Sequence, residues 1–137
     1  MDTANHGRSR VISPKQIEAV LKLDGPLRYD HFIKQVVDWE QAWGLYCDGW
    51  AMGSDDSGKP TFQLWPAKEY AELSAEGLWA EYEPAEIPLD ELVDELLPKL
   101  KEDGVGLGVF RTPEGQCVMP SIEQIVADLR NEMTRYE

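Results

Sequence analysis

Three observations predict an α+β fold. Apolar stripes at helical spacing occupy the N-terminal third, residues 89–100 and the C-terminus; short aromatic-rich runs divided by Gly and Pro turns lie between them; and the two textures are mixed, not strictly alternating. The expectation is a single compact domain over residues 12–137, with a mostly antiparallel sheet of about five to six short strands packed with about five helices, including an N-terminal helical pair and a C-terminal helix. Residues 1–11 are expected to form a disordered tail.

Ser13-Pro14-Lys15-Gln16 reads as a helix start, with Ser13 as N-cap, Pro14 in the first turn and Gln16 placed for a capping box, and the helix runs to about Lys22. Asp24-Gly25-Pro26 interrupts, and Tyr29, Phe32, Ile33, Val36 and Val37 then form one apolar stripe of a second helix. From Trp43 the texture changes. Trp-Gly-Leu-Tyr-Cys and Trp-Ala-Met-Gly are joined by Asp48-Gly49, the dipeptide of a type I′ hairpin. Ser54 to Pro60 is a turn-rich loop, Thr61 to Trp65 a third strand, and Pro66 opens a helix over Ala67 to Glu76 that Gly77 ends. Tyr82 to Ile87 reads as a fourth strand, at an edge because of Pro84. After Pro88, Leu89, Leu92, Val93, Leu96, Leu97 and Leu100 make a helical stripe, which Pro98 is expected to kink or end near Leu97. Val105 to Phe110 and Gln116 to Met119 read as a strand and its hairpin partner around Thr112-Pro113-Glu114-Gly115. Ser121 with Gln124 caps a last helix bearing Ile122, Ile125, Val126, Leu129, Met133 and Tyr136.

Thirteen Lys plus Arg against twenty-six Asp plus Glu give a net charge of −13 over 137 residues. The charge is uneven: residues 39–80 carry −5 and residues 81–103 carry −7, whereas 1–38 carry +1 and 104–137 carry −2. Clustered cations, which supply most nucleic-acid affinity, are missing, so direct nucleic-acid binding is disfavoured and a basic protein suits the chain better. No apolar run reaches the roughly 20 residues that span a bilayer, and the polar start of the chain reads as cytoplasmic. Cys47 and Cys117 lie far apart without a CxxC companion, which suits neither a disulfide framework nor zinc.

Arg28-Tyr29-x-x-Phe32, Trp43-Gly44-Leu45-Tyr46-x-Asp48-Gly49-Trp50-Ala51, Leu64-Trp65-Pro66-x-Lys68-Glu69-Tyr70-Ala71 and Val109-Phe110-x-Thr112-Pro113-x-Gly115 resemble the small bacterial proteins grouped as domain of unknown function 2750. The likeness runs from about Arg28 to Tyr136; Arg111 stands where that pattern commonly has Pro. The resemblance implies no activity and assigns no catalytic residue.

The residues themselves offer two candidate sites. Trp43, Trp50 and Trp65 on neighbouring strands, with Lys68 and Tyr70 at the following strand-to-helix junction, could line a ligand pocket for a small molecule or substrate. The competing reading, that these aromatics fill the core, is favoured for a small domain. Glu69 in the first turn would repel an anion held there beside Lys68. Gly104-Val-Gly-Leu-Gly-Val lacks the spacing of a dinucleotide fingerprint and reads as a strand in close contact with its neighbours. Asp55-Asp56-Ser57-Gly58 lacks the ligand spacing of a calcium loop, and His6 and His31 have no obvious metal-ligating companions. A nucleophile pair of His31 with Cys47 or Cys117 would need a proximity the sequence does not supply.

The second candidate is a surface for a protein partner. Trp79, Tyr82, Glu83, Glu86, Asp90, Glu91, Asp94 and Glu95 combine aromatic anchors with carboxylates that fall off the Leu-rich stripe and face water. With no assembled catalytic signature, no cofactor and no metal site, the chain reads as a non-enzymatic binding module. A basic protein or a second copy would be its partner, in a regulatory adaptor or immunity-type role; mimicry of a nucleic acid is a minor third reading.

Overall fold

The computed structural model describes residues 12–136; the expectations for residues 1–11, and His6 with them, fall outside the described residues. Five helices and two small sheets form one α+β domain. Helix α1 spans Pro14–Leu21 and α2 Gly25–Trp39. Their starts follow from side-chain caps: Ser13 Oγ accepts the Gln16 N–H at 3.1 Å and Asp24 Oδ1 accepts the Leu27 N–H at 3.2 Å, each satisfying a donor the first turn leaves orphaned. The predicted α2 stripe is buried at Phe32, Ile33, Val36 and Val37. Arg28 is buried with it, and its guanidinium donates to the Phe110 and Leu23 carbonyls.

Strands β1 (Gln41–Tyr46), β2 (Met52–Ser54) and β3 (Pro60–Leu64) follow. The hairpin expected at Asp48-Gly49 shrinks to one bridge, Tyr46 with Trp50. Asp48 takes a left-handed φ of 55°, but Gly49 sits at 154°, not the second left-handed residue a type I′ turn requires, so the strands part. β2 pairs instead with β3, and β1 pairs antiparallel with β4 (Glu83–Pro88), from Gln41 opposite Pro88 to Tyr46 opposite Glu83. Trp43 and Trp65 exchange both backbone hydrogen bonds, at 2.9 and 2.8 Å, and tie the two sheets together. In the second sheet β3 is central, between β2 and β5 (Gly106–Val109), and the β3–β5 pairing is parallel. The partner expected over Gln116–Met119 forms only the Val109–Val118 bridge, so the described residues hold five strands, the lower end of the five to six expected.

The helix expected over Ala67–Glu76 is shorter: α3 covers Lys68–Leu73, stops at Ser74, and Gly77 lies in the following Gly77–Trp79 turn with φ 59°. Helix α4 differs more instructively. Pro98 neither ends nor breaks it: Leu89–Glu91, a π-helical Leu92–Leu96 and Leu97–Glu102 run on continuously. Pro98 has no N–H to give the Asp94 carbonyl and would crowd it in an α-turn, and the wider turn, closed by the Leu97 N–H on the Leu92 carbonyl, absorbs that conflict. Helix α5 (Ile122–Met133) starts at Ser121, whose Oγ accepts the Gln124 N–H at 3.0 Å, and packs on α2, where Tyr29 donates to Asp128 at 2.5 Å. The side chain of Tyr136 lies outside the described set. No helix of the described residues is long and apolar enough to cross a membrane.

Candidate functional site

Beside the β1–β4 sheet, β4, α4 and the residue after the Asp48-Gly49 turn enclose a groove of about 300 Å³ lined by Trp50, Glu86, Ile87, Glu91, Glu95, Leu96 and Lys99. Each wall has a local cause. β4 is free to carry Pro84 because no strand among the described residues bonds its outer edge, and it buries Ile87 while leaving Glu83 and Glu86 exposed. α4 buries Leu89, Leu92, Val93, Leu97 and Leu100, which turns Asp90, Glu91, Asp94 and Glu95 to solvent. The π turn falls between Glu91 and Leu97, so Glu91, Glu95 and Leu96 all border the same groove. Trp50 can lie on β1 because residue 44 is glycine: a Cβ there would stand 2.8 Å from the indole. Tyr46, edge-on at 5.1 Å, and Phe62 at 5.5 Å hold the ring, and Trp50 stays half-buried.

Lys99 is the one cation lining the groove among the described residues, and it does not pair with the groove's carboxylates. Lys99 stands four residues after Glu95, a spacing that permits pairing, yet its Nζ contacts Asp103 at 3.3 Å and Glu102 at 3.7 Å. Among the described residues Glu86, Glu91 and Glu95 have no ion pair.

The predicted partner surface therefore divides into three. Glu86, Glu91 and Glu95 belong to this groove. Asp90 and Asp94 lie on the other side of α4 with Glu40 and Arg130, where Arg130 pairs with Asp94 at 3.6 Å. Tyr82 and Glu83 border a shallow hollow with Glu72 and Glu81. Trp79 is not an exposed anchor: it meets Trp65 edge-on at 6.4 Å and carries the Arg111 guanidinium 5.6 Å over its ring, while its neighbour Leu78 is 97% exposed.

The aromatic pocket does not assemble. Trp65 is fully buried and its indole N–H donates to the Arg111 carbonyl at 3.0 Å; Tyr70 is 1% exposed and packs on Phe110 at 4.8 Å; Lys68 is exposed. The Trp43 indole nitrogen is buried without a hydrogen-bond partner among the described residues, and of the five only Trp50 borders the groove. Gly108 does lie close to its neighbours, as the glycine run predicts: a Cβ there would come within 2.5 Å of the Gln63 amide. His31 sits near Phe110, both cysteines are free, and among the described residues no three His, Cys, Asp or Glu side chains gather to hold a metal.

One cavity, of about 430 Å³, escapes sequence reasoning because it joins residues 55–61, 101–107 and 119–123. Its polar walls neutralise each other. Lys101 grips Glu123 at 2.7 Å and holds that carboxyl below its usual range, and the Ser57 hydroxyl and Lys59 N–H do the same for Asp55.

Residues 29–129 match the model of a family described as "Protein of unknown function (DUF2750)". No curated protein and no solved structure matches the chain.

Proposed function

This chain belongs to the DUF2750 family, from which it inherits no activity, and we propose that it is a binding module whose acidic groove receives a basic segment of a partner protein. The observation that carries the reading is the juxtaposition of three carboxylates, Glu86, Glu91 and Glu95, which have no ion pair among the described residues, with the half-buried Trp50. A cation entering the groove gains twice. Each carboxylate at contact distance attracts it by about 4 kcal/mol before desolvation at an effective dielectric near 20. An indole face adds roughly 0.5–2 kcal/mol. Arginine suits the site better than lysine, since a planar guanidinium stacks on the ring and forks onto carboxylates while losing less hydration. A second copy is the poorer partner, because two chains at −13 repel each other. Adaptor and immunity-type roles both use such a surface.

The test is a titration of the protein with a short peptide carrying one arginine among glycines, followed at the Trp50 indole N–H by NMR at low and moderate salt. Binding should weaken with salt and fall by about tenfold or more in Glu91→Gln/Glu95→Gln, which removes two of the three carboxylates and with them what desolvation spares of their attraction. A peptide with citrulline in place of arginine should not bind. Equal binding of the two peptides, or no effect of the double variant, would remove the basis of the reading.

A further inference from the structure

The turn that delivers Trp50 to the groove is itself chemically labile, and we infer that Asp48-Gly49 is a site of spontaneous aspartate isomerisation. The sequence holds three Asp-Gly pairs, at 24–25, 48–49 and 103–104, and all three aspartates are exposed, so exposure does not distinguish them. Hydrogen bonding does. Asp24 Oδ1 is engaged by the Leu27 N–H as the cap of α2, and ring closure there would dismantle the helix start. Asp103 is paired with Lys99, and the Gly104 N–H, the nucleophile in such a reaction, is committed to the Lys101 carbonyl at 3.2 Å. At the middle pair neither group is engaged. The Asp48 carboxylate and the Gly49 N–H have no hydrogen-bond or ion-pair partner among the described residues, and nothing lies within 4 Å of where a Gly49 side chain would begin. Asp48 is also already in the left-handed region, with φ 55°.

The chemistry needs only water. The Gly49 nitrogen, giving up its proton, attacks the Asp48 side-chain carboxyl carbon; a C–N bond forms, a C–O bond breaks and water leaves. Water then adds to the five-membered imide at the former main-chain carbonyl, which reroutes the chain through the Asp48 side chain. Net charge is unchanged, but the turn gains one backbone atom between Tyr46 and Trp50, the residues joined by the single bridge that seats the indole. If the groove reading above holds, on which this consequence rests, the isomerised chain binds the arginine peptide roughly fivefold more weakly, the weight of one exposed cation–π contact.

The full-length chain, aged at neutral pH in buffer and in parallel in urea, would be digested and its isoaspartate located by peptide mapping and by labelling with an isoaspartate methyltransferase. In buffer isoaspartate should accumulate at 48 on the order of tenfold faster than at 24 or 103, where a cap must first open; in urea the three should react alike. Asp48→Glu, whose imide ring would be larger, should suppress the labelling while circular dichroism shows an unchanged fold. Equal accumulation at the three sites in buffer, or fastest accumulation at 24 or 103, would overturn the assignment. Accumulation at 48 with undiminished peptide binding would leave the modification site standing and overturn its coupling to the groove.

Discussion

Gly44→Ala tests how the groove is built. The new methyl would lie 2.8 and 2.9 Å from two carbons of the Trp50 six-membered ring, closer than real contacts allow, with the Gln63 carbonyl at an ordinary 3.6 Å. The backbone of β1 is fixed on both sides, by β4 and by the Trp43–Trp65 bridge, so the indole has to move. Moving it strains or breaks the contacts with Tyr46 and Phe62. Overpacking of this kind costs about 1–3 kcal/mol, and loss of an aromatic pair about 0.5–1.5. Against that, alanine in a strand recovers about 0.5–1 kcal/mol of the entropy a glycine loses on folding. The net is about 2 kcal/mol of destabilisation. With an unfolding entropy near 2.1 cal/mol/K per residue, that corresponds to roughly 7 °C in Tm for a chain of this length. Urea and thermal melts would measure it, and the arginine-peptide titration would show the groove weakened in the same variant. The decisive measurement is a double-mutant cycle with Trp50→Ala: without the indole the Gly44→Ala cost should fall to near zero or change sign. A cost below about 0.5 kcal/mol in the parent, or the same cost in both backgrounds, would refute the idea that glycine is there to seat the ring.

Two further predictions concern packing elsewhere in the fold. Gly108→Ala should destabilise by about 2–4 kcal/mol in urea melts, because a Cβ 2.5 Å from the buried Gln63 amide displaces that side chain and leaves its bonds to Thr61 and Arg111 unmade; Gln63→Ala in the same chain should restore part of the loss. Tyr29 has its phenol pKa raised by burial, with the hydrogen bond to Asp128 and that carboxylate's charge adding to it. The neutral phenol is therefore favoured in the folded chain, so its stabilising contribution is complete below the unfolded value near 10 and is lost as pH rises beyond it. Tyr29→Phe should flatten the alkaline fall in stability measured by denaturant melts across that range.

What was legible in the sequence was local. Ser13 and Ser121 cap helices because a hydroxyl placed before a helical stripe has only the orphaned N–H groups of the next turn to satisfy, and no distant residue enters that argument. Pro84 marked an edge strand for a similar reason. What was not legible was long-range pairing: β1 with β4, forty residues on, and β3 with β5 in parallel. Asp48-Gly49 suggested a local hairpin, and β1 took a more distant partner in preference to extending it. Pro98 misled in the other direction. Its steric rule is sound, but a helix whose Leu92, Leu97 and Leu100 are all held in the core has more to lose by ending than by widening one turn.

The candidate site shows the same division between what a face is and what meets it. Helical spacing exposed the carboxylates of α4 correctly, but could not say which of them would be neutralised. The −7 of residues 81–103 is spent unevenly once the chain folds: Asp94 goes to Arg130, Glu102 and Asp103 to Lys99, and Lys101 to Glu123 across the fold. The aromatic partner was equally hidden. Trp79 reads as exposed because its sequence neighbours are polar, but Arg111 arrives over its ring from another loop. Trp50 reads as core because it sits in a strand-like run, but Gly44 lets it lie on the sheet surface at the rim of α4. The two sets of residues that the sequence keeps apart thus meet at Glu86, Glu91, Glu95 and Trp50. A bulk excess of negative charge says little about recognition; three carboxylates without an ion pair among the described residues, set against one indole, mark where the proposed basic partner would gain most.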